Sequence, residues 1–256
     1  MEIFILKTAE EASRIAGRFV NEAIKKNPKT VLGLATGSTP LMLYKEMYTA
    51  CQAGLDYSQV RSFNLDEYYG LDPQHPQSYR RFMNENLFNH LNIDIKNTRV
   101  PDGLAKDCAA ACAQYEADMK AAGGVDIQVL GIGSDGHIGF NEPGSSLVSR
   151  TRLVTLTPQT IRDNARFFEK EEDVPRYAVS MGVGTVMEAK TCLMLCFGAN
   201  KAKAVKGMIE GGISQFNPAS ALQMHPHTLV FLDEAAAADL ELKDYYRWAS
   251  EHPATL

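Results

Sequence analysis

The chain has 256 residues, 45% of them hydrophobic and 22% charged, with a formal net charge of −5. This is the composition of a globular protein with a sizeable core, in one large α/β domain or two small ones. The acidic balance excludes a general nucleic-acid binder but leaves room for a locally basic anion pocket, and no apolar run approaches the roughly 18 residues of a membrane helix.

Ile3–Leu6 reads as a strand that starts at once, with no basic stretch and long apolar run of a secretion signal ahead of it, so a cytoplasmic protein is expected. A helix opens at Thr8 or Ala9 and runs to Asn27, with Ala12, Ile15, Ala16, Phe19, Val20 and Ala23 on one face, until Pro28 ends it. Thr30–Leu34 is a second strand. It leads through Ala35–Pro40 into a helix from about Leu41 to Ala50, with Thr39 as N-cap and Pro40 at the first helical position. Gly37, Ser38 and Thr39 at a helix N-terminus offer N–H groups, hydroxyls and the positive dipole end to an anion. No Lys follows the glycine, so this is not a Walker loop, and a phosphate on a small molecule is the better fit. Taken alone, the loop is equally consistent with a well-capped helix.

Val60–Asn64 is the next strand and runs into Asp66 and Glu67, two acids that either cap a turn or supply a base. Ser78 starts an amphipathic helix to about Leu91, and another spans Ala105–Ala121. The stretch Val125–Pro143 follows: an apolar, β-branched run, glycines at 131, 133, 136 and 139, then Asp135, His137 and Glu142. A histidine between two carboxylates has its tautomer fixed and its proton affinity raised, which suits proton transfer near neutral pH. A capped turn with a surface histidine is the bland alternative. The position just outside the carboxyl end of a strand, where parallel sheets carry ligands, favours function.

Leu153–Leu156 is a short strand. Thr157-Pro158 then opens a helix with Arg162 and Arg166 one turn apart, closed by the acidic run Glu169–Asp173. The segment 157–174 has few large apolar residues beyond Ile161, Phe167 and Phe168, as expected of a mobile cover or lid. Tyr177–Met181 and Thr191–Phe197 are further strands. Lys201 stands at a helix start, against the dipole, a local cost that a bound anion removes and a solvated lysine tolerates. Thr228–Leu232 is the last strand and Ala235–Trp248 the last helical stretch. The five cysteines (Cys51, Cys108, Cys112, Cys192 and Cys196) form no CxxC pair. Cys108 and Cys112 share a helix face and Cys192 and Cys196 a strand parity, so these four read as small apolar residues of a reducing compartment. No His/Cys cluster has zinc-like spacing, so no metal is expected. Strands and helices alternate throughout, which predicts an α/β fold: one domain over 1–256, its sheet mostly parallel and covered by helices on both faces.

Several motifs together resemble the glucosamine-6-phosphate deaminase family: Leu32-Gly33-Leu34-Ala35-Thr36-Gly37-Ser38-Thr39-Pro40, Asn64-Leu65-Asp66-Glu67-Tyr68, Gly133–Pro143, Ser149-Arg150-Thr151-Arg152 and Gly182-Val183-Gly184-Thr185. The likeness extends in order over nearly the whole chain. It implies a Rossmann-like α/β sandwich and conversion of glucosamine 6-phosphate and water to fructose 6-phosphate and ammonia in amino sugar catabolism, a hydrolytic deamination without metal or organic cofactor. By the same resemblance Asp66 is the base for the C2 proton, His137 opens the sugar ring, and Asp135 and Glu142 hold and tune it. The Gly37-Ser38-Thr39 loop, Arg166 and Lys201 would bind the phosphate.

The nearest alternative is a 6-phosphogluconolactonase-like sugar-phosphate hydrolase, which needs no C2 base. A non-catalytic sugar-phosphate-binding regulator is the alternative from another class. Some family members are hexamers activated by N-acetylglucosamine 6-phosphate. Ser145, Ser146 and Arg152 match that activator site, whereas Val154 stands where its lysine would be. With little chain after Trp248 to complete an interface, a monomer or small homo-oligomer without activation is expected.

Overall fold

Alternate residues of the central strands feed two separate cores. In β9 (Thr191–Cys196), Cys192, Met194 and Cys196 join one core with Val230 and Leu232 of β10 (Thr228–Asp233), while Leu193 and Leu195 join the other with Leu229 and Phe231. A strand buried on both faces in this way belongs to a parallel sheet covered by helices. The structure, a computed structural model, describes residues 1–252.

Seven strands pair in the order β1-β10-β9-β6-β2-β3-β5, every pair parallel. The others are β1 (Glu2–Leu6), β2 (Val31–Leu34), β3 (Arg61–Asn64), β5 (Thr98–Arg99) and β6 (Ile127–Gly131). On one face lie α1 (Ala9–Lys26), through Ala12, Ala16, Val20 and Ile24, and α2 (Leu41–Gln52), through Leu43, Tyr44 and Met47. The opposite face is covered by Tyr115 and Met119 of α4 (Cys108–Ala121), Val183 and Val186 of α6 (Val183–Val186) and Val205 and Met208 of α7 (Ala202–Ile209). Each large apolar side chain fully buried there contributes roughly 1.5–3 kcal/mol relative to exposure.

The sheet order fixes where a ligand can sit. From β2 the chain moves to β3 and β5 on one side, and from β6 to β9 and β10 on the other. Loops leaving the carboxyl ends of β2 and β6 therefore part at this switch point and leave a crevice between them.

Three strands lie outside the parallel sheet. β4 (Asp66–Tyr68), β8 (Tyr177–Ser180) and β7 (Arg152–Thr155) form a separate sheet in the order β4-β8-β7, both pairs antiparallel. Leu65 is the joint: its N–H donates to Leu34 O of the large sheet and its carbonyl accepts from Met181 N beside the small one. Asp66 thus opens a second strand instead of ending the first. The aromatic cluster of Tyr68, Phe140 and Leu156, with Tyr79 and Phe168 against it, underlies this sheet.

Some boundaries differ from the sequence expectation. The Ser78 helix is shorter: Ser78 caps α3 (Tyr79–Asn86), which gives way to a 3₁₀ turn at Phe88–His90. The Ala105 helix begins only at Cys108, because Asp107 accepts from Ala110 N and sets the cap. The Ala235–Trp248 stretch is helical only from α8 (Lys243–Glu251); before it Asp233 accepts from Ala236 N and the alanines form turns. No helix among the described residues is long and apolar enough to cross a membrane.

Candidate active site

At the switch point the structure opens a cleft of about 660 Å³, lined by residues that leave adjacent strand ends. Gly37, Ser38 and Thr39 follow β2, Asp66 follows β3, His137 follows β6 and Lys201 follows β9; Arg166 reaches in from the covering segment. Asp135 and Glu142 stand behind His137. Every site residue expected from the sequence is therefore in, or in contact with, one cleft.

The loop after β2 departs from expectation in one respect. Helix α2 begins at Leu41 with Pro40 in the cap position, and no side chain caps it. Thr39 is thus not the N-cap; its hydroxyl is not engaged by the helix, and the first-turn N–H groups keep the anion-binding character of an uncapped helix start. Tyr44 anchors the loop from below, donating to Ala35 O at 2.5 Å and accepting from Ala35 N at 3.2 Å.

In the turn after β6, Asp135 Oδ1 accepts from the His137 backbone N–H at 3.2 Å and lies 2.8 Å from its Nδ1. The same carboxylate thus caps the turn and faces the imidazole. Glu142 Oε2 is 3.5 Å from the same nitrogen. Both carboxylates therefore face Nδ1, Asp135 at the shorter distance. With Nδ1 turned to the acids, Nε2 is the nitrogen left for a ligand. The imidazole lies flat on the backbone at Gly133, where a Cβ would come within 2.3 Å of the ring, so only glycine fits.

Electrostatics divides these groups. Burial alone would lower the His137 pKa, but contact with Asp135 and Glu142 outweighs it and raises the value to about 9. Asp135 falls to about 2 because His137 faces it. Burial works against ionised Glu142, yet His137 and Thr160 hold it below the ordinary carboxylate range. Asp66 moves the opposite way: burial first, then the charge of Glu67, lift it to about 7, with His137 opposing. Two carboxylates of one cleft are thus set apart, one always charged and one poised to exchange protons at neutral pH.

Asp66 is placed by the segment that follows the histidine. A Cβ on Gly139 would come within 3.3 Å of Asp66 Oδ2 and 3.1 Å of Ser180 Oγ, and Phe140 N donates to that Oγ at 3.1 Å. Asn141 Nδ2 donates to Ile138 O and Met181 O, and its Oδ1 accepts from Arg152 Nη1 at 2.9 Å. The neighbouring acid, Glu67, is structural: it accepts from the backbone N–H groups of Tyr68, Tyr79 and Arg80 and so seats the start of α3.

The covering segment begins with α5 (Pro158–Ala165), capped by Thr157, and continues to a 3₁₀ turn at Glu171–Asp173. Arg166 follows the helix, its guanidinium 4.7 Å from the Phe167 ring, and Phe168 packs on Tyr68 and His75. Arg162 is not among the residues lining the cleft and donates to Gln159, which is, at 2.9 Å. Thr160, Tyr79 and Ser180 are contributors that the sequence did not single out. Among the described residues, the one grouping of His, Cys, Asp or Glu atoms that could hold a metal ion is Asp135, His137 and Glu142, within 4.8 Å of one another.

A switch-point crevice with an anion loop at one end and a buried carboxylate near a charged imidazole at the other defines an α/β enzyme acting by proton transfer on a small anionic substrate. The model of the family of glucosamine-6-phosphate isomerases and 6-phosphogluconolactonase matches residues 7–231, and the chain belongs to that family. It is 51% identical to the glucosamine-6-phosphate deaminase of Hahella chejuensis, over 97% of this chain and 95% of that one. It is 52% identical to that of Cellvibrio japonicus, over 96% and 94%. Among solved structures, a monomeric glucosamine-6-phosphate deaminase superposes with a TM-score of 0.91 at 43% identity, covering 93% of this chain and all of that one (100%). The 6-phosphogluconolactonase of Trypanosoma cruzi shares the fold, with a TM-score of 0.76 at 20% identity over 94% and 97%.

Proposed function

We propose that this chain is a glucosamine-6-phosphate deaminase, converting glucosamine 6-phosphate and water to fructose 6-phosphate and ammonia. What carries the reading is Asp66, a carboxyl buried in the cleft whose pKa lies near 7. Lactone hydrolysis needs no such base, and a regulator that only binds a sugar phosphate gains nothing from burying one. The identity of half the residues with deaminases over nearly the full chain points the same way.

The chemistry follows from the proton affinities. The protonated His137 gives a proton to the ring oxygen as the C1–O5 bond opens, and takes back the proton of O1. Asp135 and Glu142 orient the imidazole throughout and favour its charged form before and after this exchange. In the open chain the Asp66 carboxylate removes the C2 proton to give the enolamine and returns it to C1 to give the ketimine. Water then adds at C2, and ammonia leaves. The amine is replaced by oxygen from water, so the isomerisation ends in a hydrolytic deamination. Gly37, Ser38, Thr39, Arg166 and Lys201 hold the phosphate, whose charge-assisted contacts lie far from the reacting carbons and anchor the sugar while its ring opens.

Release of ammonia and fructose 6-phosphate from glucosamine 6-phosphate by the purified protein, with chelator present, tests this. Equal rates with and without chelator are expected. Turnover of a 6-phospholactone in place of the amino sugar would replace this reading with the lactonase one. For assembly, the likeness to a monomeric deaminase supports a monomer or small oligomer.

A further inference from the structure

Glu142 presents its two carboxylate oxygens to different parts of the molecule. Oε2 faces His137, whereas Oε1 accepts the hydroxyl of Thr160 and lies 3.3 Å from that of Thr157. Both threonines belong to the start of α5, and their hydroxyl oxygens are 3.0 Å apart. Thr160 is only 8% exposed, so its hydroxyl has little water to turn to.

The helix itself does not require this hydroxyl. The cap is made by Thr157 Oγ1, which accepts from the backbone N–H of Thr160 at 3.1 Å. A threonine hydroxyl has one proton and can also accept. The proton of Thr160 goes to Glu142, and its oxygen is then free to accept from Thr157. The result is a directed chain from the first turn of α5 to the carboxylate that faces the imidazole.

We propose that Thr160 is a positioning residue: its hydroxyl fixes Glu142 Oε1 so that Oε2 faces His137, fastening the covering helix to the proton-transfer pair. This rests on the roles proposed above for His137 and Glu142. A carboxylate held at one oxygen cannot turn its other oxygen away from the ring. Losing the donor leaves a buried oxygen underbonded and raises the proton affinity of Glu142, whose ionisation the Thr160 hydroxyl favours. The titratable groups that bear on Glu142 are His137 and Asp135.

The test compares Thr160→Val, which keeps the β-branched shape and removes the donor, with Thr160→Ser, which keeps the donor. Glu142→Gln runs in parallel, and Thr157→Ala serves as the cap control. For the valine variant kcat/KM on the pyranose should fall roughly tenfold to a hundredfold, the scale of misplacing a catalytic group. The loss should be smaller on an open-chain analogue that cannot cyclise, the alkaline limb of the pH profile should move to lower pH because Glu142 no longer holds its charge against His137, and serine should recover most of the rate. Should the valine variant melt early, Thr160→Ala removes the same donor and repeats the readouts. Equal losses for valine and serine, or no pH shift, overturn the proposal. If Glu142→Gln is impaired while Thr160→Val is not, the fastening fails and the site reading stands. If both keep wild-type rates, the site reading itself fails and takes this proposal with it.

Discussion

The cleft has two walls built on different principles. One is the carboxyl edge of the parallel sheet, where each loop starts from a strand buried on both faces and the Gly133 backbone carries the imidazole. The other is the small antiparallel sheet with α5, held by one aromatic cluster and a few side-chain hydrogen bonds. The first wall fixes the position of the histidine and the anion loop. The second supplies Asp66, Arg166 and the bonds behind Glu142. Stability that derives from a few contacts is lost first on local opening, so the second wall is the one expected to move with substrate. Leu65, bonded to both sheets, is where the two walls meet, so motion of the second is expected to leave the histidine and the loop after β2 in place.

The largest effect should come from Asp66, the residue next to that joint. Asp66→Asn keeps the shape and removes the base, so turnover should fall by roughly 10²–10⁴ while substrate still binds. Exchange of the C2 proton with solvent should fall in parallel, and wild-type exchange in the variant would remove Asp66 from its role. The pH profile carries the same assignment. Asp66 must be ionised, so activity should rise as pH passes about 7. His137 must be protonated, so activity should fall as pH passes about 9. A profile flat from pH 6 to 8 would contradict the first limb.

His137→Gln probes the rigid wall. It should impair reaction of the pyranose more than reaction of an analogue that cannot cyclise, because ring opening is the step that needs the shuttle. Equal losses on both would assign His137 to the carbon chemistry instead. Lys201→Ala and Arg166→Ala then set one wall against the other, since Lys201 follows β9 and Arg166 follows α5. Each should raise KM, by about 1.5–3 kcal/mol of lost charged contact. Only the Arg166 change should also leave the segment 157–174 as open to hydrogen exchange with substrate as without it. Unphosphorylated glucosamine turning over as well as its phosphate ester would remove the anion site altogether.

The rigid wall was readable from the sequence because its signals are local. Strand, glycine spacing and acid–imidazole–acid follow one another within Val125–Pro143, and the cleft assembles at the ends of strands whose alternation was plain. In the second wall β7, β8 and α5 were readable too, but their pairing with β4 in a separate antiparallel sheet was not, for reasons that are equally physical. A single residue separates β3 from β4, so the pattern reads as one strand, and the choice of sheet is made by pairing with Ser180 far along the chain. A two-residue strand such as Thr98–Arg99 has no period to detect. Thr160 resembles any polar residue in a first turn, and its partner Glu142 is 18 positions away. The alanines after Asp233 have high helix propensity, but Ala236, Ala237 and Leu240 are buried in turns against the core, and packing prevailed over propensity.

The smallest expected effect is an absence of response. In members of the family that are activated by N-acetylglucosamine 6-phosphate, the activator site includes an arginine and a lysine two positions beyond it. Here Arg152 occupies the arginine position, but its guanidinium donates to Asn141 Oδ1 and Arg150 O, which ties it to the loop that carries Glu142. Ser146 Oγ accepts from Val148 N. Val154 stands at the lysine position and packs against the cluster of Tyr68, Phe140 and Leu156, so its side chain serves the small sheet instead of an anion. Losing one charged contact to a phosphate weakens binding by about 1.5–3 kcal/mol, a factor of roughly 10 to 150. Hyperbolic kinetics are therefore expected, with no change in initial rates on adding the acetylated sugar phosphate and an assembly smaller than a hexamer by sedimentation. Val154→Lys alone should not create activation, because a lysine there must leave the aromatic cluster and Arg152 is already engaged. A sigmoidal rate curve made hyperbolic by the activator would show that this chain binds the effector through residues other than those matched here, and that its two walls are coupled between subunits.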